Sequence, residues 1–402
     1  MIGQPLERSH DERFFAPCPR GLESLLVDEL NTLAAGEIVP TEGGVGFSGP
    51  LTLCYRANLD SRIASRVLWQ VAVGEYADEQ DLYEQARRCS WPDWFHHRCT
   101  IKVKVGAQRC SLKSLEFVTL RIKDAVCDAF RATTGQRPTV ETQRPDVLIV
   151  VFLDGRHSTL YLDTSGDPLF KRGTRRLGGE APLRENLAAG ILRLAGWPSA
   201  TTLLDPMCGS GTILIEAAQM AAGVPPGLGR RFAFERFSWF DGPAWQAMRA
   251  NRRADPSAGS AVQIYGSDID GTAIAAARAN LTAAGLERSV QLRQQDVLSL
   301  SSPADEGLLA TNPPYGVRVG TDAHLAAFYP RFGDVLKQRF SGWRACLLTA
   351  DLRLPKLIGL APSRRIPLFN GPLECRLYEF ELVKGSMRGR SRTKPGATGQ
   401  SD

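Results

Sequence analysis

Long apolar runs are missing from this 402-residue chain. The longest strongly apolar stretch, Val147 to Leu153, falls far short of the ~20 residues a membrane-spanning helix needs. The first fifteen residues carry charges where a secretory signal would have an apolar core, so the expectation is a cytoplasmic protein that does not enter a membrane. No two of the nine cysteines stand at Cys-x-x-Cys spacing, and their number is odd, which argues against a zinc site or a disulfide framework. Histidine is scarce, at five residues, and the adjacent pair His96-His97 cannot converge on one ion as an i, i+4 helical pair would, so no metal is expected. A strong excess of one charge is also absent: the net charge is +6, and the segment from Lys384 to Asp402 supplies +4 of it. Net charge therefore permits an anionic partner without requiring one. What remains is an ordinary globular composition, 43% apolar and 23% charged, on a chain long enough for two or three domains.

The amino-terminal part reads as α+β. Phe14-Phe15 leads into an amphipathic helix from Gly21 to Leu33, with Leu22, Leu25, Leu26, Leu30 and Leu33 at helical spacing, and then into the turn-rich Glu42 to Gly49. A second unit follows: alternation from Val67 to Val73, a helix from Asp78 to Arg88, a strand from Thr100 to Ala107, and a helix from Leu115 to Phe130. Two strands, Val147 to Leu153 and Ser158 to Leu162, then meet at Asp154-Gly155. Small sheets covered by helices are expected. From Ser165 to Pro182 the composition turns to Gly, Pro and cations, as in an interdomain linker. Beyond it strands and helices alternate from Leu183 to Thr349, which predicts a mostly parallel sheet with ligands at the carboxyl ends of its strands. The aromatic insertion from Pro225 to Pro256 reads as a lid or a satellite core, with core the simpler reading.

Chemistry concentrates at those strand ends. In Asp205-Pro-Met207-Cys208-Gly209-Ser210-Gly211-Thr212 an apolar strand ends at an acid, two glycines make a tight turn, and a helix begins. The turn is neither a Walker loop nor the dinucleotide Gly-x-Gly-x-x-Gly. It is read either as an ordinary βα turn or as a backbone cradle in which Asp205 faces a cation, such as an ammonium or sulfonium. Asp268, in Gly266-Ser-Asp268-Ile269, ends the next strand, where a carboxylate can accept both hydroxyls of a ribose, while Asp270 reads as a helix cap. Asp296, before Val297, ends the third strand and can accept an adenine amine or simply cap a turn. Thr311-Asn312-Pro313-Pro314-Tyr315-Gly316 leaves the fourth strand as a rigid loop, because two prolines fit neither a helix nor a central strand. Asn312 Oδ1 and the Pro313 carbonyl could each accept one hydrogen of an aromatic amine, letting its nitrogen pyramidalise, with Tyr315 stacked on the base.

These motifs resemble those of the class I S-adenosylmethionine-dependent amino-methyltransferases. Arg20-Gly-Leu-Glu23, Gly43-Gly-Val45, Leu162-Asp-Thr-Ser-Gly-Asp-Pro-Leu-Phe-Lys-Arg-Gly173 and Ala181-Pro-Leu-Arg-Glu185 extend the resemblance to the THUMP-domain methyltransferases. Within these, the chain is similar to the amino-terminal half of the bacterial 23S ribosomal RNA guanine-N2 enzymes. The resemblance implies a ferredoxin-like region (1–62), a THUMP RNA-binding domain (63–165), a linker (166–182), a Rossmann-like seven-stranded methyltransferase domain (183–385) and a basic tail (386–402). It also implies that Asp205, Met207, Cys208, Gly209, Ser210, Gly211 and Thr212 line the methionine end of S-adenosyl-L-methionine. Asp268 would take the ribose and Asp296 the adenine, Ile269, Val297 and Asn312 would also belong to the cofactor site, and Asn312, Pro313, Pro314 and Tyr315 would be catalytic at the target base.

The expected activity is methyl transfer to a guanine N2 amine, with RNA as partner, either 23S rRNA or a large-subunit assembly intermediate. No second glycine turn follows Tyr315, so one methylation is expected. The alternatives are a tRNA guanine-N2 enzyme, a DNA adenine-N6 enzyme, a glutamine methyltransferase, and a catalytically silent RNA-binding assembly factor.

Overall fold

The structure is a computed structural model, and it describes residues 11–173, 183–252, 263–314 and 322–383. Tyr315, Gly316, Arg175, Arg176 and the basic tail 386–402 lie outside the described residues.

In the amino-terminal half, β1 (Glu12–Pro17), α1 (Glu23–Thr32), β2 (Gly36–Thr41), β3 (Gly44–Gly49) and α2 (Leu53–Asp60) lead into β4 (Leu68–Glu75). α3 (Glu79–Arg87), the single turn α4 (Trp91–Trp94), β5 (Ile101–Gln108), α5 (Leu115–Thr134), β6 (Val147–Asp154) and β7 (His157–Asp163) complete it. The sequence periods explain these elements. Asp78 caps α3 through the Gln80 and Asp81 amides, and Ser114 caps α5 through the Phe117 amide. Val118, Ile122, Ala125, Val126, Ala129 and Phe130 bury one stripe of α5, while β6 buries every second residue from Val147 to Leu153. The small sheets expected here are in fact one seven-stranded sheet, ordered β2-β3-β1-β4-β7-β6-β5. A short antiparallel bridge joins its parts, Phe14 opposite Trp69 and Phe15 opposite Leu68. Such non-local pairing leaves no trace in local periodicity.

The second half runs α6 (Glu185–Leu194), β8 (Leu203–Asp205), α7 (Thr212–Ala221), α8 (Gly242–Ala250), β9 (Ile264–Asp268), α9 (Gly271–Ala283), β10 (Gln291–Gln294) and β11 (Leu308–Thr311). It ends with α10 (Asp322–Arg339), β12 (Arg344–Thr349), α11 (Leu354–Ile358), β13 (Arg364–Asn370) and β14 (Leu373–Glu381). The sheet order is β10-β9-β8-β11-β12-β14-β13. The strands from β10 to β12 are parallel, and β14 inserts antiparallel between β12 and β13. Buried residues of α6, α7 and α9 cover one face, and Tyr329, Phe332 and Leu336 of α10, with Phe340 just beyond it, cover the other.

The segment expected as a linker is packed where it is described. Ser165, Leu169 and Arg172 are buried, and the Arg172 guanidinium donates to Glu216 of α7 at 3.0 Å. Arg62, from the amino-terminal half, meets the other Glu216 oxygen at 3.2 Å, and Arg193 of α6 reaches Glu29 of α1 at 2.9 Å. The aromatic insertion is core: Phe234, Trp239, Phe240 and Trp245 surround the ring of Tyr55 from α2, at centroid distances of 4.6 to 5.9 Å. Hydrophobic side chains from both halves thus form one continuous cluster. Among the described residues, no helix is long and apolar enough to cross a membrane.

Candidate active site

Three strand ends and one loop converge at the carboxyl edge of the second sheet. β8 stops at Asp205, which is 2% exposed. Burial pushes its carboxyl up to about 7; the Thr311 hydroxyl and the Met207 amide oppose that rise, and the Asp268 carboxylate adds to it. The chain then turns through Gly209 (φ +53°) and Gly211 (φ +83°), left-handed conformations that other residues resist, and α7 starts immediately. Among the described residues nothing lies within 4 Å of where a Cβ on Gly209 would stand, which leaves one side of the turn open to a ligand. Its other side is fixed: Asn280 of α9 donates to the Ser210 carbonyl at 3.1 Å, and the Cys208 amide donates to the Ser267 carbonyl at 2.9 Å. The buried Cys208 thiol is pushed well above its ordinary range by burial and by Asp205 and Asp268, so it stays protonated and is no nucleophile.

Asp268 ends β9 and ties the turn together. Its Oδ2 accepts from the Gly209 amide at 2.9 Å and its Oδ1 from the Asp270 amide at 3.0 Å. Asp270 caps α9 through the Thr272 amide, as its position after the strand implies. Ile269, between the two acids, is 66% exposed, a large apolar side chain held beside the open turn. Asp296 lies two residues beyond the end of β10 and caps a short 3₁₀ turn, Val297–Ser299, accepting from the Leu298 amide at 2.9 Å. It does cap a turn, and Val297 behind it is buried. Met207 and Ser210 are half-buried, and Thr212 is buried at the start of α7.

Asn312 follows β11, the strand beside β8. Its Oδ1 is buried yet has no hydrogen-bond partner among the described residues. A buried acceptor left unpaired costs about 1–3 kcal/mol, so its natural complement is a donor supplied by a ligand. Pro313 is buried, and the Pro314 carbonyl accepts from the hydroxyl of Tyr329 in α10 at 2.5 Å, which anchors the loop from below. The structure therefore brings Asp205, Gly209, Asp268 and Asn312 to one edge, while Tyr315 lies outside the described residues. Sequence reasoning missed three supporting groups: Thr311 beside Asp205, Asn280 under the turn, and Tyr329 under the loop. Asn280 alone left a signal, a polar residue on the apolar stripe Ile274, Ala277 and Leu281 of α9. Among the described residues no three His, Cys, Asp or Glu side chains gather to hold a metal ion. The open turn and the exposed Ile269 leave room for a ligand beside Asp205 and Asp268.

Comparison with known proteins agrees with this geometry. Residues 13–68 match the family described as the RlmL ferredoxin-like domain, residues 76–163 the THUMP domain, and residues 172–379 the RMKL-like methyltransferase domain. The chain is similar to the ribosomal RNA large subunit methyltransferase K/L of Shewanella sp. (strain W3-18-1), 39% identical over 93% of this chain and 54% of that one. It is likewise similar to the protein of that name from Allochromatium vinosum, 40% identical over 92% of this chain and 52% of the other. The chain thus spans about half the length of the curated relatives it matches. Among solved structures, SMU.472 complexed with SAH superposes with a TM-score of 0.84 at 28% identity, covering 94% of this chain and 99% of that one. A predicted N6-adenine-specific DNA methylase from Listeria monocytogenes str. 4b F2365 gives 0.83, also at 28% identity, covering 92% and 96%. With the family match spanning more than half of its length and reaching every strand of the second sheet, the chain belongs to the RMKL-like methyltransferase-domain family.

Proposed function

We propose that this chain transfers a methyl group from S-adenosyl-L-methionine to the exocyclic N2 amine of a guanine in RNA, with 23S rRNA as the substrate. The observation that carries this reading is the unpaired buried Oδ1 of Asn312 at the strand end next to the glycine turn. A guanine amino nitrogen is a poor nucleophile, because its lone pair is delocalised into the ring. Asn312 Oδ1 and the Pro313 carbonyl each accept one amine hydrogen and so favour the pyramidal nitrogen of the transition state. The Tyr329 hydroxyl, by holding the Pro314 carbonyl, keeps this acceptor pair from drifting. Tyr315, next in the chain, is the platform on which the base stacks.

S-adenosyl-L-methionine supplies the electrophilic sulfonium methyl. Asp205 would face its cationic end, Gly209 would offer a backbone without a Cβ, Asp268 would take the ribose hydroxyls and Asp296 the adenine, with Ile269 beside them. The target guanine leaves its stack to reach Asn312, at a cost of a few kcal/mol. RNA as the substrate class is supported by the THUMP match at residues 76–163 and by the names of the K/L relatives.

Adenine N6 of DNA is a second reading, favoured by the name of the Listeria relative, since the same acceptor pair suits either amine. The test is to incubate the protein with radiolabelled S-adenosyl-L-methionine and, in parallel, large-subunit rRNA, tRNA and duplex DNA, and to identify the labelled nucleoside by chromatography. N2-methylguanosine in rRNA is the expected product. Label in DNA alone, or in no nucleic acid, overturns the reading.

A further inference from the structure

The sheet order divides the carboxyl edge into two halves. β8, β9 and β10 carry the residues assigned to the cofactor, and Asn312 stands at the boundary after β11. The far half, β12-β14-β13, carries none of them. At ~4.8 Å per strand, β13 lies ~14 Å from β11. β13 runs in the same direction as β11, so its end at Asn370 and the Gly371 turn lie at the edge that holds Asn312.

Three of the four segments that extended the family resemblance meet at this corner, although they are far apart in the chain. The Arg184 guanidinium lies 4.9 Å from the centroid of the Phe170 ring and packs on the Gly371 turn, its Nη2 being 3.2 Å from where a Cβ would stand. Arg20 lies 5.5 Å from the centroid of the Phe369 ring at the end of β13. Beside it, Gly21 approaches the Pro367 carbonyl so closely that a Cβ would stand 2.4 Å from it. The amino-terminal half thus abuts the edge strand here, next to an open cleft of about 440 Å³ lined by Arg20, Glu23, Thr41, Glu42, Pro367 and Phe369. Glu42 pairs with Arg20 at 3.1 Å, both side chains being more than half exposed. Arg184 and the exposed Lys171 have no carboxylate partner among the described residues. Arg184, backed by Phe170, keeps N–H donors available for phosphate, whereas at Arg20 a phosphate takes the place of the exposed Glu42 carboxylate.

The geometry points to a track for the unpaired RNA that flanks the target guanine: from Asn312 across β12, β14 and β13, past Arg184 on Phe170, to Arg20 on Phe369 and the amino-terminal half. One phosphate pairs with Arg184 and another displaces Glu42 from Arg20, and bases stack against the guanidiniums that Phe170 and Phe369 back. The track rests on the proposed RNA reading and deepens it, because it names the side chains that position the strand rather than those that methylate it.

Arg184→Ala and Arg20→Ala test it, each at an end of the track. With rRNA as substrate, each is expected to raise KM about tenfold, equivalent to about 1.4 kcal/mol. The double variant is expected to raise it about a hundredfold, with the loss falling on KM and not on kcat. Calorimetric affinity for S-adenosyl-L-methionine and the melting temperature check that the variants are folded. Anisotropy with a labelled single-stranded oligouridylate measures the strand directly: each variant is expected to lower the slope of log affinity against log salt by about 0.7. Arg184→Lys is expected to keep that slope but not the full affinity, since an ammonium has no plane. Unchanged KM and unchanged oligouridylate affinity in both single variants overturn the track while leaving the methyltransferase reading intact. If the wild type methylates no RNA, the functional reading fails, and the oligouridylate series still decides the track.

Discussion

Asp205→Asn separates what a buried carboxylate costs the fold from what it gives the ligand. Asp205 is 2% exposed, and its carboxyl is raised from 3.8 to about 7, chiefly by burial. The folded chain therefore holds this proton more tightly than the unfolded chain. Stability is greatest below the unfolded value, declines as pH rises between the two values, and carries the whole penalty above about pH 7. A shift of about 3 units at 1.36 kcal/mol each sets a ceiling of about 4 kcal/mol at pH 8. Asparagine keeps the shape and an acceptor for the Met207 amide, which bonds Oδ1 at 3.3 Å, but carries no charge. The variant is expected to unfold at higher urea than the wild type at about pH 8, with the gap narrowing below pH 7 and closing near pH 4. Cofactor affinity should move the other way, because the cationic end of S-adenosyl-L-methionine stabilises the carboxylate that asparagine lacks. Wild-type binding should strengthen from about pH 5 to pH 7 and release a proton, which calorimetry in two buffers of different ionisation heat detects. A stability difference that does not change with pH, or equal affinity in the two proteins, refutes the reasoning.

The other substitutions probe one contact each. Asn312→Ala removes the unpaired acceptor, so turnover should fall on the order of a hundredfold or more in single-turnover assays, while calorimetric cofactor affinity persists. Asp268→Ala frees the Gly209 and Asp270 amides together, and affinity for S-adenosyl-L-methionine should drop at least tenfold by calorimetry. Glu216→Gln leaves Arg172 and Arg62 facing a neutral amide in the seam, and should destabilise the chain by about 3 kcal/mol in urea unfolding.

The strand ends of the candidate site were legible because their signals are local. Asp205, Gly209, Asp268 and Asn312 each sit at the point where a short apolar run meets a turn, so spacing alone brings them to strand ends. Pairings over long distances were not legible. β13 and β14 form an antiparallel hairpin at the end of an otherwise parallel sheet, and the α/β alternation does not foretell it. α2 escaped notice because it is buried almost all round, from Leu53 to Leu59, and so lacks the one-sided stripe that marks a surface helix. Asp296 was legible as an acid at the third strand, but not as two residues beyond its end, since the strand and the 3₁₀ turn share the same extended approach.

The seam exposes the weakness of composition as a guide. Glycine, proline and arginine between Ser165 and Pro182 have the composition of a solvated linker, yet composition cannot say where a guanidinium ends up. Arg172 is 2% exposed, and its charge is tolerated there because Glu216, itself fully buried, is shared with Arg62. Glu216 lies about one helical turn after Thr212, where α7 leaves the glycine turn. The helix that starts at the glycine turn is therefore fastened, one turn later, to a loop of the amino-terminal half. Any shift of that half against α7 would separate a buried charge from its partner, a penalty of several kcal/mol. On the proposed function, the module that would position the substrate is thereby held in register with the turn that would position the methyl donor, through residues assigned to neither ligand.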